Sequence, residues 1–191
     1  MSLFSMFRRR PLERAAFALY SAAVAAARQP AHYVALGVPD TLNGRFDLIT
    51  LHVSLVVRRV RMEADPRGAV LAQGVFDAMF LDMEANLLEM GVSDMVVGKR
   101  VKRLWEAFHG RAVAYEAPLA AGDAEALALA LARNVWGGES PGLVEGAPGA
   151  PARQLAEHAL AQDRNLAAQP FEALLRGEAR FLPAPAAVHA G

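Results

Sequence analysis

Cysteine is missing altogether, and with it go a disulfide framework, a thiolate metal site and a thiol nucleophile. There is no excess of charge of either sign. The 20 basic and 20 acidic residues cancel, which argues against a nucleic-acid footprint spread over the whole chain. Long apolar runs are missing too. The longest strongly apolar stretch, Leu48 to Val57, holds ten residues with His52 inside it, against the ~20 that span a bilayer. At the start, Leu3, Phe4 and Phe7 come before Arg8, Arg9 and Arg10, the reverse of the order in a secretory leader. The expectation is a cytoplasmic protein. The opening patch has two readings: a dip into a lipid interface, with each arginine worth ~1 kcal/mol on an anionic surface, or a frayed start lying on the first helix.

Reaction signatures are equally scarce. No Gly-x-Ser-x-Gly turn exposes a serine, and no glycine-rich dinucleotide turn occurs. Gly91 to Arg100 has the look of a phosphate loop, but the spacing is wrong and no Ser or Thr follows Lys99 to hold magnesium. Period-2 alternation is nowhere sustained over a strand length, whereas the 3.6 period recurs throughout.

At 191 residues and 20.4 kDa the chain is one domain, or one plus a short appendage. It can bury ~70% of its unfolded surface without staples, and 54% apolar residues make it rather greasy for a soluble domain. The first helix is expected from about Pro11, a residue suited to a helix start, to about Ala27, with Phe17, Tyr20 and Val24 on one stripe. A short turn, Ala31 to Leu36, and a turn-rich connection, Gly37–Gly44, follow. From Arg45 to about Met62 apolar residues cover two faces, the mark of a helix central to a bundle. Ala69 to Met90 comes next, with Gly91 placed for a left-handed cap. After Ser93, an N-cap, a helix starts at Asp94 or Gly98 and is stopped at Gly110. Its apolar edge is Val101, Leu104, Trp105 and Phe108. Arg111–Ala117 and Ala124–Val135 are further helical stretches, the latter opened by Asp123. Gly137–Ala150, rich in glycine and proline without periodicity, is a linker or long loop, followed by helices at Pro151–Gln169 and Phe171–Arg176. The fold expected is all-α: a compact bundle of five to eight helices with short connections and a Gly/Pro-rich loop before the C-terminal helices.

Four constellations carry whatever chemistry there is. Glu106 and His109 form a Glu-x-x-His pair of the kind found in di-iron bundles, but the second copy and the two further inward glutamates are lacking. The pair reads as a helix-end histidine beside a surface acid, and no metal, cofactor or catalytic residue is expected. Asp40, Arg45, Asp47 and His52 lie close in sequence. They read as a polar lock on a loop–helix corner, with Asp40 a turn former, Asp47 a dipole partner and His52 a buried neutral histidine bonded to a carbonyl or a loop carboxylate. Lys99, Arg100, Lys102 and Arg103 place four cations in five residues. If Arg58, Arg59 and Arg61 converge on them, the joint field attracts phosphate, RNA or anionic lipid; otherwise they are a solvated face balanced by Glu106. Finally, Phe76, Met79, Phe80, Met83 and Met90 share a stripe. Such a stripe is usually core, yet Met adapts to varied apolar partners, and an open groove there would accept a hydrophobic helix.

Leu36-Gly-Val-Pro-Asp-Thr-Leu-Asn-Gly-Arg-Phe-Asp-Leu-Ile-Thr-Leu-His52 resembles the signature segment of the ubiquinol–cytochrome c chaperone family. Phe76–Phe80, Asp82–Asp94, Gly98–Arg103 and Ala107–Arg111 agree in order and spacing. The similarity runs from about Leu12 to Trp136, and nothing after Gly137 is assignable to it. The resemblance implies a non-enzymatic assembly factor. Mitochondrial members bind newly made cytochrome b near the ribosomal tunnel exit, with a small partner protein, and assist its entry into the respiratory complex. Carried onto this chain, Lys99, Arg100, Lys102 and Arg103 become a ribosome or membrane contact, at the cytoplasmic face of the inner membrane, and the Phe76–Met90 stripe becomes the client contact. Asp40, Arg45, Asp47 and His52 become structural signature residues. The domain plan expected is a basic and apolar segment at 1–10, a chaperone domain at 11–136, a linker at 137–150 and a helical extension at 151–191. A helical lipid or quinone carrier, with the same stripe lining an enclosed pocket, is the alternative.

Overall fold

Helices account for almost all of the regular structure, as the 3.6 period predicts. The computed structural model describes residues 3–185, with side chains from residue 11 onward, so the patch formed by Leu3, Phe4, Phe7 and Arg8–Arg10 falls outside the described side chains. In chain order the elements are α1 (Leu3–Ala27), α2 (Pro30–Val34), α3 (Leu42–Arg61), α4 (Pro66–Glu89), α5 (Asp94–Ala121), α6 (Ala124–Val135), β1 (Leu143–Val144), β2 (Ala147–Pro148), α7 (Ala150–Ala167) and α8 (Phe171–Leu175). Local chemistry sets most boundaries. The Thr41 and Asp123 side chains accept hydrogen bonds from the Gly44 and Ala126 amides and so cap α3 and α6. Past the end of α4, Gly91 sits at φ +81°, a conformation that costs glycine little.

Three expectations are corrected. Pro11 lies inside α1 rather than at its start. The break at Gly110 does not occur: α5 runs unbroken from Asp94 to Ala121. One interior glycine costs a helix only ~1 kcal/mol, and burial of Phe108 and Tyr115 on either side of it outweighs that. On α1 it is not Phe17 but an alanine-rich face with Leu19 and Tyr20 that is buried; Phe17 is mostly exposed. Small residues let the helices approach closely, so that a Cβ on Gly74 of α4 would stand 2.8 Å from the Ala16 Cβ.

The central helix is α3. It is packed by α1, α4, α5, α6 and α7, and Leu48, Leu51, Val53, Leu55 and Val56 are all buried, each contributing about 2 kcal/mol. Its entry is tight. A Cβ on Gly44 would lie 2.0 Å from the Pro39 carbonyl oxygen, so only glycine lets the preceding loop fold back onto the first turn of α3. The Gly137–Ala150 stretch holds a small antiparallel hairpin pairing Leu143 with Pro148 and Val144 with Ala147. Glu145 and Gly146 at its tip both have positive φ, the requirement of a primed two-residue turn. Buried Trp136 donates its indole N–H to the Gly37 carbonyl (3.1 Å), tying this stretch to the loop before α3.

After α8 the chain returns as an extended strap along α7, held by side-chain amides. Gln162 accepts from the Leu182 N–H and donates to the Leu182 carbonyl, both at 2.9 Å. Gln169 does the same to Arg180, accepting at 2.9 Å and donating at 2.7 Å, and Asn165 donates to the Arg180 carbonyl at 2.6 Å. Gln162 of α7 and Gln169 just past its end thus stand in for the neighbouring strand that the strap lacks.

Candidate functional site

The polar residues of the α3 entrance divide between two sides of the helix. Arg45 donates from Nε to Asp40 (2.6 Å) with both side chains more than half exposed, the corner lock expected. Asp47 is buried and pairs instead with Arg111 of α5, Nε to Oδ1 at 2.6 Å, while the Arg111 guanidinium also lies over the Phe46 ring. Burial pushes the Asp47 carboxyl up to about 6 and the Arg111 charge pulls it back down. His52 belongs to neither pair. It faces the opposite side of α3 and donates from Nδ1 to the Leu48 carbonyl at 2.8 Å, beside His32 of α2 and His158 of α7. Residues 32, 52 and 158 share no spacing pattern, so nothing in their order along the chain hints at that meeting.

Above the Asp47–Arg111 pair opens a cleft of about 850 Å³ between the start of α3, the middle of α5 and the end of α6. Gly44, Phe46, Leu87, Leu104 and Trp136 give it apolar walls, and Arg100, Arg103 and Arg133 add cations. No ion-pair partner is found for these three among the described residues. Lys99 and Lys102 are exposed beside them, Lys102 standing 3.9 Å from Glu106. Two of the three arginines of the second basic run do not reinforce this field. Arg58 is consumed by Glu116 and by Asp163 (3.2 Å), and Arg59 by Glu63 and the Leu166 and Gln169 carbonyls. They are internal struts joining α3 to α5 and α7.

The stripe on α4 is mainly core. Met79 is fully buried. Phe76, Phe80 and Met83 are half-buried against the core, and the rings of Phe76 and Phe80 meet Phe108 edge-on at 5.4 and 6.1 Å. The spacing that suggested a groove is also the spacing by which a helix fills an interior, and here α5 fills it. Of the five, only Met90 stays largely exposed. The uncovered apolar surface lies further along the α4–α5 hairpin: Leu81, Leu88, Met90, Val96 and, at 91% exposure, Met95. In this outer half Leu87 and Val97 alone are buried. A second cleft of about 880 Å³, between α3, α4 and α5, takes only Phe76 from the stripe, so the enclosed stripe-lined pocket needed by a lipid or quinone carrier is not formed there.

A family model described as ubiquinol–cytochrome C chaperone matches residues 34–181. The chain belongs to that family. The crystal structure of the Cbp3 homolog from Brucella abortus is similar to it, with 34% sequence identity over 96% of this chain and 98% of that one and a TM-score of 0.80. None of the curated proteins compared with it matches. The chaperone-family match continues through α7 and α8 to Phe181, past Trp136 where the sequence resemblance stops. The blocks that carried the resemblance meet in space: Pro39, Thr41, Asn43, Gly44 and Asp47 from one, and Arg100, Arg103 and Arg111 from the other, all border the first cleft. Among the described residues no helix is long and apolar enough to cross a membrane.

Proposed function

We propose that this chaperone-family protein holds an apolar segment of newly made cytochrome b, or of a similar membrane subunit, until it enters the ubiquinol–cytochrome c reductase. The work is binding without catalysis. The observation that carries the reading is the outer half of the α4–α5 hairpin, where Leu81, Leu88, Met90, Met95 and Val96, all between residues 81 and 96, are each exposed. A soluble chain rarely leaves such a group uncovered without a partner for it, and two flexible methionines suit a client of variable shape. Beside it, Lys99, Arg100, Lys102 and Arg103 supply contact with phosphate-rich surfaces, ribosomal RNA or lipid headgroups, near which the client is made and inserted.

The test is deletion of the gene, followed by spectroscopic assay of the assembled reductase, with a photocrosslinker at Met95 in the complementing copy. Loss of the reductase and a crosslink to cytochrome b are expected. Normal reductase levels in the deletion strain would overturn the reading. Ribosome sedimentation and flotation on anionic vesicles separate the two sources of phosphate.

A further inference from the structure

We propose that His32, His52 and His158 form a binding site for one transition-metal ion of the zinc class, tying α2, α3 and α7 together. One ring nitrogen from each lies within 4.8 Å of the others. In a tetrahedral zinc site with Zn–N of about 2.0–2.1 Å the nitrogens stand about 3.4 Å apart, so ring movements of about 1 Å close the set. His32 and His52 are buried and His158 half-buried, and His32 faces the other two rings edge-on at centroid distances of 5.5 and 5.8 Å.

The chemistry of the donors fits. The Leu48 carbonyl can only accept, so His52 carries its proton on Nδ1 and presents the Nε2 lone pair. Metal-binding histidines are oriented in this way, through the ring nitrogen that does not ligate. Neither ring nitrogen of His32 makes a hydrogen bond of normal geometry, although the Ala26 carbonyl is close enough to pull its pKa upward. A buried ring with neither nitrogen in a hydrogen bond of normal geometry among the described residues calls for an explanation, and a ligated ion is one. Burial holds all three histidines below their ordinary pKa, so each is a neutral imidazole at pH 7, the form that ligates. Cysteine being absent, the donor set is imidazole alone, which suits zinc, copper or nickel over calcium or magnesium. Gln162 is the competitor: its Nε2 lies 3.1 Å from His158 Nε2, and an ion taking that lone pair must displace it.

Full-length protein stripped with EDTA is titrated with Zn2+ and separately with Co2+. The expected result is one ion per chain, the visible d–d bands of tetrahedral cobalt, and a higher Tm for the zinc-loaded protein. His109→Ala, on the exposed face of α5, keeps all three signals; His32→Leu and His158→Leu lose them while far-UV circular dichroism stays helical. Because His158 is only half-buried, its variant carries the test if His32→Leu does not fold. No saturable binding by the wild-type protein would overturn the proposal and leave a neutral histidine network. So would a folded His158→Leu variant that binds as tightly as wild type.

Discussion

Two regions of this molecule treat misplaced side chains in opposite ways. Around the α2–α3–α7 junction, polar groups are taken inside: His32, His52 and Gln162 are buried and the strap lies over them, with Phe181 against the His52 ring at 5.7 Å. At the outer half of the α4–α5 hairpin, apolar groups are left outside, near arginines for which no ion-pair partner is found among the described residues. Each region departs from the rule that apolar residues go in and polar ones out, and the difference shows what closes each. The first is covered by the chain itself, through the Leu48 carbonyl on His52, the Gln162 amide on His158 and the Phe181 ring. The second has no such cover among the described residues, and under the proposed function a client segment would supply it.

The sharpest way to break the buried side is acid. The groups facing His32 and His52 are each other, His158, the Leu48 and Ala26 carbonyls, the Gln162 amide and Phe181. Burial depresses His52 to about 3 and His32 to about 4 from 6.5 in the unfolded chain. The unfolded state therefore binds more protons below pH 6.5. Stability is complete above that value and falls as pH drops toward the folded values, by about 2 kcal/mol per histidine at pH 5. Asp47 works the other way. Its raised carboxyl takes up a proton in the fold before it does so in the unfolded chain, returning about 1 kcal/mol. Urea midpoints in EDTA should thus show a net loss of about 3 kcal/mol between pH 7 and pH 5, and a midpoint that holds or rises would remove the account.

Arg111→Met comes next. It strands a buried carboxylate, which is costly, but the Asp47 carboxyl, raised by burial and no longer held down by Arg111, can escape by taking up a proton, which caps the loss at about 2 kcal/mol at neutral pH. Adding Asp47→Asn should recover most of it in the double variant, and a double mutant no better than the single would show that the pair is not the cause. At the hairpin, Leu88→Glu with Met95→Glu should change the unfolding free energy by no more than about 0.5 kcal/mol while lowering client crosslinking at least tenfold. A large stability loss there would mean the surface is already covered from within. Smallest of all, Lys99→Glu with Arg103→Glu should leave stability unchanged. It should weaken binding to ribosomes or anionic vesicles at low salt and much less at high salt, because exposed charges are screened; equal binding at every ionic strength would show that these cations only face water.

Much of the fold is legible in the residues. α3 carries apolar residues on two faces and is central; Asp123 and Gly91 mark ends that form where expected. What the sequence could not settle is competition between local and tertiary forces. Gly110 is a local breaker overruled by Phe108 and Tyr115, and Phe17 is a large apolar residue displaced from the core by alanines that pack closer. The site was legible in part. The run from Lys99 to Arg103 is exposed as a charge run should be, but the Phe76–Met83 spacing is equally that of a core, and only the position of α5 decides between them. The histidine junction left no trace at all, since three separate helices bring it together.

The strap has a consequence for tolerance to change. Gln162 and Gln169 grip the main chain at Leu182 and Arg180, not their side chains, so this grip is indifferent to what those two residues are, provided the amide hydrogen remains. Random replacement should therefore be permissive at the gripped pair, with proline the exception, and strict at the two glutamines that do the gripping.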